Sequence, residues 1–527
     1  MAEFLEQGFK LEDILPENTL KTRVPQTIVE RKVNPAPSRY RNEIARYLIM
    51  RDDNLCIRCG KCAEICPKGV HVLKKGYKYF AEPESHLCIG PICEKKYKDK
   101  YCIAACPKAA LRIAENPMMK LLGDPRWSAN IILATWKMAE TGEVPSEDYE
   151  YEYGNSGGGF DRLRFKFPER PPVEIKKEEV DTGIELNRRN DSRVKIKIDV
   201  PWYGGGMSFG SVSNTVQLSK ARAAVAWNTL TCTGEGGYME RMRPYDDHVI
   251  TQVATGLFGV REETIQRVPV IEFKYAQGAK PGLGGHLLGD KNTPAVAKMR
   301  ETVLGISLFS PFPFHSVYSI EDHMKHIDWI KHINRRALIS TKVSTPNDVD
   351  MVAVGSYFAG THIVHIDGGY GGTGAAPDIA KKNIAMPIEY AIPKVHRFLE
   401  AEGARDTITL IASGGLRNIY DIAKAIALGA DGVVIGTSEL VALGCVRCGR
   451  CESGRGCPRS IATTDKVLAP MIDLEWGTQR LINLYNAWRE DLVKILQRFG
   501  MRSISELRGR TDLLMHLDYT NDVEHKA

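Results

Sequence analysis

Eight cysteines between positions 56 and 106 constrain this chain more than any other feature of its sequence. The first four, in CIRCGKCAEICP, follow the spacing C-x2-C-x2-C-x3-C and stand before Pro67. Thiolates at this spacing hold iron–sulfur clusters. Structural zinc usually takes two separated cysteine pairs instead. Disulfides would require a secreted protein, but the charged start MAEFLEQGFK lacks the apolar stretch of a signal peptide. We therefore predict iron–sulfur clusters in a reducing, cytoplasmic compartment.

The second group of four cysteines is looser and encloses a lysine-rich insert. In bacterial two-cluster ferredoxins, the fourth cysteine of each group crosses over to the other cluster. The insert, with Lys95, Lys96, Lys98 and Lys100, fits either a docking surface for an acidic electron donor or a plain solvated loop. We therefore predict a bacterial-type ferredoxin-like domain with two 4Fe–4S clusters. The ligands would be Cys56, Cys59, Cys62 and Cys106 for one cluster, and Cys66, Cys88, Cys93 and Cys102 for the other.

Composition narrows the possible partners of the chain. Its 527 residues carry a net charge of only +6, and no pattern of interleaved aromatic and basic residues indicates nucleic-acid binding. No apolar run is long enough to cross a bilayer. We therefore expect neither a nucleic-acid partner nor a membrane association. The remaining five cysteines are Cys232 and a group of four between Cys445 and Cys457.

Short β-branched segments alternate with amphipathic segments from about residue 200 to residue 445. Apolar strands that alternate with helices predict a parallel sheet covered by helices, and six or more of them favour an α/β fold of the TIM (β/α)8 barrel type. The predicted strands are PVIEFKY, GISLFS, ALISTKVS, HIVHIDGG, ITLIASGG and GVVIGT. The predicted domains are an N-terminal arm (1–45), the ferredoxin-like domain (46–115), a linker or wrapping segment (116–195), the barrel (196–470) and C-terminal surface helices (471–527).

Two late strands of the predicted barrel end in small residues and run into a helix, at Gly414–Gly415 and at Gly436–Thr437. Backbone N–H groups at such turns bind phosphate, and the last two strands are the usual place for it in a TIM barrel. Ordinary tight turns are the alternative. A phosphate-bearing cofactor beside iron–sulfur clusters indicates FMN, which converts single-electron delivery into hydride transfer.

Seven motifs, in the same order along the chain, resemble those of one enzyme family. They are GGGMSFGSVS, TCTGEGGY, QVATGLFGV, KYAQGAKPGLGG, SPFPFHSVYSIED, IDGGYGGTGAAP and ALGCVRCGRCESGRGCP. Over roughly residues 200–465 the chain resembles the synthase core of glutamate synthase, in the archaeal-type form that carries a ferredoxin domain ahead of that core. The resemblance implies an FMN-binding barrel that reduces 2-iminoglutarate, formed from 2-oxoglutarate and ammonia, to L-glutamate.

The resemblance also implies roles for individual residues. Lys274 and Lys280 would bind the dicarboxylate substrate; Lys274 ends a predicted buried strand, which disfavours a merely solvated side chain. Glu235 would position ammonia or relay a proton; that it is only a solvated carboxylate in a loop is an equal alternative. Gln277 is also expected in the catalytic site. Lys342 would stabilise negative charge near N1 of the reduced flavin. The flavin would further be lined by Met207, Ser208, Gly210, Asp367, Gly368, Gly369 and Thr373, with its phosphate at Gly414, Gly415, Gly436 and Thr437.

The last motif carries four cysteines. Cys445, Cys448 and Cys451 repeat the C-x2-C-x2-C triplet of the first motif, and Cys457 stands before a proline. The resemblance implies a cluster here, and the larger synthases hold a three-iron cluster on three cysteines. Because four thiolates satisfy four irons, we expect a 4Fe–4S rather than a 3Fe–4S cluster, unless Cys448 only packs. The chain would then hold three clusters and about twelve irons, with this cluster as the final relay to FMN.

Features of the larger synthases are missing from this sequence. No cysteine precedes Cys56, so we expect no N-terminal glutaminase nucleophile, and the residues after 465 are too few for a β-helical domain. Ammonia would then come from solution or from a separate glutamine amidotransferase subunit, and electrons from ferredoxin or a reductase subunit, within an oligomer. The alternatives are a related FMN-barrel enzyme, such as an N-methylglutamate synthase subunit, and a non-catalytic electron-transfer subunit.

Overall fold

The structure is a computed structural model of the chain. Most of the predicted N-terminal arm lies outside the described residues, and so does Thr373, one of the predicted flavin contacts. No helix in the part of the chain that the structure describes is long and apolar enough to span a membrane. The described residues are 24–39, 45–74, 79–145, 159–189, 191, 194–282, 284–311, 314–372, 374–452 and 457–518.

A small unit at residues 45–116, called the ferredoxin-like unit below, contains the first eight cysteines. Its elements are β1 (Tyr47–Arg51), α1 (Lys61–Ile65), β2 (Leu73–Lys74), β3 (Tyr79–Phe80), α2 (Ile92–Tyr97) and β4 (Leu111–Glu115). Strand β1 pairs antiparallel with β4, and β2 pairs antiparallel with β3. The two helices span only five and six residues, which is too short for stability on their own. The buried core combines the thiols of Cys62 and Cys102 with Leu111, so cysteine side chains form much of the interior of the unit.

The segment predicted as a linker is largely structured. It contains the helix α3 (Ala129–Thr141), which begins after the capping residue Ser128 and ends at Gly142, where φ is 74°. Most of α3 is buried. Three short strands follow: β5 (Leu163–Phe165), β6 (Ile184–Glu185) and β7 (Lys197–Ile198). The segment therefore supplies a packed layer rather than a plain connection, while the domain boundaries stay a prediction.

Eight parallel strands close into a barrel. In chain order they are β8 (Trp202–Gly204), β9 (Thr231–Cys232), β10 (Val249–Ala254), β11 (Val270–Lys274), β12 (Leu338–Ser344), β13 (Ile363–Asp367), β14 (Thr409–Ser413) and β15 (Gly432–Ile435). Each strand pairs with the next one in sequence, and β15 pairs back with β8. Every residue of β10, β11 and β14 is buried, as expected where helices cover a parallel sheet. The prediction of a TIM-type barrel is confirmed.

One predicted strand is wrong. The segment GISLFS, at residues 305–310, lies in a loop, where Leu308 forms a single antiparallel bridge with Leu287. Both leucines are buried in a small cluster with Val296, which explains the apolar pattern without a barrel strand. Three barrel strands, β8, β9 and β10, were not predicted. Two of them span only three and two residues, which is too short for a recognisable pattern.

Helices follow the strands around the barrel. They are α4 (Asn214–Ala226), α5 (Glu262–Ile265), α6 (Pro294–Arg300), α7 (Ile320–Ile333), α8 (Val349–Phe358), α9 (Asp378–Asn383), α10 (Ile388–Ala401), α11 (Ile419–Ala427) and α12 (Thr437–Ala442). Side-chain oxygens of Ser213, Ser319 and Asn418 cap α4, α7 and α11, each by accepting from a backbone N–H three residues on. The predicted amphipathic segments SIEDHMKHIDWIKHIN and NIYDIAKAIALG form α7 and α11.

The last helix, α13 (Leu474–Phe499), is 26 residues long and belongs to the core. It packs against both α3 and α4, and side chains such as Tyr485 and Trp488 are fully buried. The prediction of surface helices at the C-terminal end was therefore wrong for this segment, because α3 comes back from far ahead in the sequence to cover it. The final strand, β16 (Leu514–His516), pairs antiparallel with β5.

Candidate active site

A cavity of about 510 Å³ opens at the carboxyl ends of the barrel strands. Cofactor and small-molecule sites typically measure about 300–1,000 Å³. The structure brings the predicted substrate, flavin and cluster residues of the barrel to this one place, although their roles stay predictions. Sixteen of them line the cavity: Met207, Ser208, Glu235, Lys274, Gln277, Lys280, Lys342, Asp367, Gly414, Gly415, Gly436, Thr437, Cys445, Cys448, Cys451 and Cys457.

Three of the predicted flavin contacts are not among the residues that line the cavity: Gly210, Gly368 and Gly369. Gly368 is enclosed by neighbouring backbone. A Cβ atom on Gly278 would stand 1.8 Å from the Gly368 carbonyl oxygen, and one on Gly414 would stand 2.6 Å from it. Such close approach of backbone segments requires glycine at Gly278 and Gly414, whether or not a flavin lies nearby.

Buried cations collect in one part of the cavity, called the cation end below. Lys274, the last residue of β11, pairs with Glu235 at 3.1 Å between Nζ and Oε1, and neither side chain is more than 10% exposed. Lys280 lies within electrostatic reach of both. Burial lowers the pKa of its ammonium group, against the opposing pull of Glu452 and Glu235. A further anion close to Lys280 would therefore stabilise its charged form.

Arg300 and His286 also belong to the cation end, and sequence reasoning missed both. Arg300 ends α6 and donates from Nη2 to Ser208 Oγ at 2.9 Å. Its Nε atom is buried without a hydrogen-bond partner in the described chain, and burial lowers the pKa of its guanidinium group to about 10. His286 Nδ1 lies 3.4 Å from Lys280 Nζ. No short motif marks either residue, because only the closed barrel brings them to the cavity.

A charged pair forms the floor of the cavity. Lys342 Nζ lies 3.5 Å from Asp367 Oδ2, and Asp367 Oδ1 accepts from Ser413 Oγ at 2.6 Å. Burial alone would lower the pKa of Lys342 and raise that of Asp367, but each charge stabilises the other and reverses both shifts. Both groups therefore stay ionised, and β12 presents a fixed positive charge to the cavity.

The polar floor continues into the barrel interior through His365 and Glu272. His365 lies 2.7 Å from Ser413 Oγ through Nε2 and 3.0 Å from Glu272 Oε2 through Nδ1. Gln252 and Ser340 donate to the same carboxylate at 2.7 and 3.0 Å. Burial would raise the pKa of Glu272, but His365 and its other neighbours hold it at about 2. Sequence patterns did not point to these residues, which become neighbours only when the barrel closes.

The two glycine turns form another part of the cavity, called the glycine end below. Gly414 and Gly415 adopt φ values of 107° and 80°, which favour glycine. A Cβ atom on Gly436 would meet no atom within 4 Å, so open space stands above that turn. Arg126 lies beside this end without lining the cavity, and its guanidinium group stacks on the Tyr370 ring. Its Nη1 atom lies 2.9 Å from where a Cβ on Gly415 would stand, and its buried Nε and Nη2 atoms have no hydrogen-bond partner in the described chain. Such donors fit a phosphate group, so the residues present suit FMN.

The four thiols of the 445–457 loop border the same cavity. Cys445, Cys451 and Cys457 act on one another electrostatically, and Cys448 acts on Cys451. Burial raises the pKa of the Cys445 thiol to about 12, so thiolates here need a cationic partner such as iron. Cys448 is exposed, unlike the other three, yet it faces the same space. The set suits an iron–sulfur cluster, and the role of Cys448 as fourth ligand stays a prediction.

Distant segments hold this loop in place. Asp124 Oδ2 accepts from Nε and Nη2 of Arg447 at 3.0 and 2.7 Å. Arg447 also donates from Nη1 to the Gly372 carbonyl at 2.5 Å, and Lys291 Nζ donates to the Cys451 carbonyl at 2.5 Å. The turn before α3, the loop after β13 and the loop before α6 thus converge on the cysteines. Sequence reasoning missed Asp124, which lies far outside the predicted barrel.

The eight cysteines of the ferredoxin-like unit separate into the two predicted sets. One set lines a small cavity: Cys56, Cys59, Cys62 and Cys106. The other set is connected by electrostatic interactions: Cys66, Cys88, Cys93 and Cys102. Within the described chain, no three metal-binding side chains converge closely enough to hold a single metal ion. The grouping matches the crossed sets of a two-cluster ferredoxin, and the roles of these cysteines as ligands stay predictions.

Two family models match the chain. One, described as a 4Fe-4S binding domain, covers residues 49–70 and confirms the first iron–sulfur motif. The other, described as the conserved region in glutamate synthase, covers residues 159–502. The chain belongs to the glutamate synthase family. The family region contains the barrel, the cavity and the 445–457 loop, whereas Asp124 and Arg126 precede it.

Relatives in the glutamate synthase family match over most of the chain. The archaeal-type glutamate synthase (NADPH) of Thermotoga maritima is 36% identical over 493 residues, which are 89% of this chain and 94% of the relative. The archaeal glutamate synthase (NADPH) of Methanocaldococcus jannaschii is 34% identical over 495 residues, again 89% and 94%. The glutamate synthase (NADPH) large chain of Azospirillum brasilense is 36% identical over 316 residues, 59% of this chain and 21% of the relative. The predicted resemblance is confirmed.

Proposed function

We propose that the chain forms L-glutamate by reducing 2-iminoglutarate, the product of 2-oxoglutarate and ammonia, with FMN held in the barrel cavity. One observation carries the proposal: a single cavity is lined by buried cations, by two glycine turns and by four thiols. These parts match what the reaction requires: cations that bind a dicarboxylate, a binding site for the flavin and a source of electrons. Membership of the glutamate synthase family supports the same reaction.

The cation end would bind the carboxylates of 2-oxoglutarate. Arg300 donates to the neutral oxygens of Ser208 and Gly285 at 2.9 and 3.2 Å, and Glu235 acts on it only through longer-range electrostatics, so its guanidinium could bind a substrate carboxylate. Lys280 is buried and lies 4.0 Å from its nearest carboxylate oxygen, on Glu452, so its ion pair is a loose one. A hydrogen bond between either cation and a substrate carboxylate would contribute about 1.5–3 kcal/mol.

Lys274 and Glu235 would assist the formation of the imine. Their close pairing places a proton donor and a proton acceptor side by side next to Lys280. Glu235 would hold ammonia or take up a proton as the imine forms. Gln277 Nε2 donates to the Lys280 carbonyl at 3.3 Å, so Gln277 would fix the loop that carries this cation.

The glycine end would hold the phosphate of FMN, with Arg126 offering its unpartnered nitrogen atoms. FMN, when bound, accepts electrons singly and passes them on as a hydride. Lys342 would stand under the flavin ring, where its fixed positive charge would stabilise negative charge near N1. The flavin-binding residues at the phosphate would be Gly414, Gly415, Gly436 and Thr437.

The reaction needs 2-oxoglutarate and an electron donor. Electrons would enter at the ferredoxin-like unit, from ferredoxin or from a reductase subunit, and reach the cavity through the cluster on the 445–457 loop. The names of all three relatives specify NADPH, which would require such a subunit here. Ammonia would come from solution or from a separate glutamine amidotransferase subunit.

The test is an anaerobic assay of the purified chain, loaded with FMN and clusters, with 2-oxoglutarate, ammonium and reduced ferredoxin. We expect L-glutamate from the wild type. Lys280→Ala should lower kcat/KM about 10- to 150-fold, the equivalent of about 1.5–3 kcal/mol, at unchanged FMN content. Lys298→Ala, which removes an exposed lysine of α6, is the matched control. Absence of glutamate would contradict the proposal, and turnover of glutamate with methylamine would support an N-methylglutamate synthase instead.

A further inference from the structure

Glu452 directly follows Cys451 and extends the cluster loop into the cation end of the cavity. Its Oε1 atom lies 4.0 Å from Lys280 Nζ and 3.7 Å from His286 Nδ1. The side chain is 25% exposed, so it has a path toward solvent. The proposed reaction assigns no role to Glu452.

The other charges near Lys280 already have close partners. Glu235 pairs with Lys274 at 3.1 Å, and Lys291 donates to the Cys451 carbonyl at 2.5 Å. Among the described residues that line the cation end, Glu452 is therefore the carboxylate that faces both Lys280 and His286. A carboxylate of the protein thus stands where the proposed function requires a carboxylate of the substrate.

We propose that Glu452 competes with the substrate for Lys280 and thereby determines the affinity and the selectivity of the site for anions. The inference rests on the proposed function, since it concerns the same site. A substrate carboxylate that reaches Lys280 has to displace the loose ion pair with Glu452, which offsets part of the gain from the new contact. A 2-oxo acid with a single carboxylate is therefore bound more weakly than a dicarboxylate, which also reaches Arg300. Glu235 acts on Arg300 electrostatically, but its ion pair is with Lys274.

Other roles for Glu452 predict the opposite change in binding. If the carboxylate only tied the cluster loop to the loop that carries Lys280 and His286, its removal would loosen the site, weaken 2-oxoglutarate binding and release iron. If the carboxylate contacted the bound substrate favourably, its removal would also weaken binding. Competition alone predicts tighter binding when the charge is removed.

The experiment measures 2-oxoglutarate binding by calorimetry to the FMN- and cluster-loaded wild type and to Glu452→Gln, which keeps the size of the side chain without its charge. We expect binding about three- to tenfold tighter in the variant, the range for a partly exposed ion pair. Glu452→Asp, whose shorter side chain holds the charge farther from Lys280, should fall between the two. Asp290→Asn removes an exposed charge from the stretch before Lys291 and should change binding less than about twofold.

Selectivity gives the second readout. The preference for 2-oxoglutarate over 2-oxobutanoate, which has a single carboxylate, should decrease in Glu452→Gln. Unchanged or weaker binding of 2-oxoglutarate in this variant, at wild-type iron content, overturns the inference alone. Failure of 2-oxoglutarate to bind the wild type and the variant overturns the proposed function together with the inference.

Discussion

Two regions of the molecule carry the same cysteine triplet and hold it by different means. The triplet at 56–62 lies in the ferredoxin-like unit, whose remaining cysteines follow within the same short stretch of chain. The triplet at 445–451 lies in a barrel loop, where Arg447 is fixed by Asp124 from the far side of the sequence. Spacing therefore predicts which cysteines could share a cluster, whereas the surrounding fold decides how the loop that carries them is held.

The two regions also differ in charge. Residues 46–115 contain 14 lysines and arginines against eight aspartates and glutamates, an excess equal to the net charge of +6 of the whole chain. The remainder of the chain is therefore neutral overall. A positive charge on the unit that would receive electrons favours an acidic donor, whereas the rest of the chain is neutral overall and places several buried cations at the cavity.

The loss of one thiol from the barrel loop should give the largest effect. In Cys451→Ser we expect the loss of about four of about twelve irons and the loss of glutamate formation from reduced ferredoxin, while the ferredoxin-like unit keeps its own iron. Cys448→Ser removes the exposed thiol and leaves the three less exposed ones, which could still hold three irons, so it should lose only about one iron if four thiolates hold the cluster. Iron analysis and EPR of anaerobic preparations measure both.

Cys232→Ser is the matched control for these variants, because Cys232 is a buried barrel cysteine outside the predicted ligand sets. Its iron content should equal that of the wild type. Ferredoxin-driven turnover that survived the loss of Cys451 would show that the two regions do not act in series.

A smaller effect should follow when the distant anchor of the barrel loop is removed. Asp124→Ala leaves the Arg447 guanidinium without its carboxylate, at a cost of about 1–2 kcal/mol for this partly buried pair. We expect partial loss of iron from the 445–457 loop and full retention in the ferredoxin-like unit, measured by EPR spin quantitation. Asp512→Ala breaks an exposed pair with Arg510 and should change neither cluster population. Equal iron loss from both regions would contradict the distinction between them.

The last prediction concerns the pH dependence of stability, which has the opposite sign in the two regions and affects neither the clusters nor turnover directly. Burial raises the pKa of Asp491, in α13, to about 6, although Lys494 opposes the shift. Because the unfolded chain releases this proton near its ordinary pKa of 3.8, the barrel loses stability as the pH rises from about 4 to about 6. Burial, with Arg51, instead lowers the pKa of His71 in the ferredoxin-like unit to about 4, so that unit loses stability as the pH falls below about 6.5.

Asp491→Asn should therefore raise the free energy of unfolding by about 1–3 kcal/mol near pH 8 and leave it unchanged near pH 4. Denaturant unfolding followed by tryptophan fluorescence measures the change. Glu402→Gln, which removes an exposed carboxylate, should give no difference at either pH. A gain in the free energy of unfolding near pH 4 but not near pH 8 would contradict the raised pKa of Asp491.

Local patterns in the sequence were sufficient for the ferredoxin-like unit and for most of the barrel. The two cysteine groups were predicted from their spacing together with the crossing pattern of two-cluster ferredoxins, and five of the six predicted strands, including ALISTKVS and GVVIGT, are barrel strands. The exception, GISLFS, is apolar because Leu308 packs against Leu287 in a loop. Helix α13 was misjudged because its covering layer, α3, lies more than three hundred residues ahead of it.

The candidate site was predictable where its residues stand in motifs and not where they are brought in by the fold. Lys274, Lys280 and the glycine turns follow strand ends, so the barrel topology places them together. Arg126 and Arg300 belong to other segments, and no pattern along the chain relates them to the cavity. Their positions depend on long-range packing that a single sequence does not display.

A single turnover tests the central claim most directly, namely that one cavity joins electron delivery to glutamate formation. The chain, loaded with FMN and clusters, is reduced without oxygen, freed of excess reductant, and then mixed with 2-oxoglutarate and ammonium. The account predicts one L-glutamate for every two electrons released, with reoxidation of the flavin and of the 445–457 cluster. Retention of the stored electrons, with no glutamate formed, would contradict it.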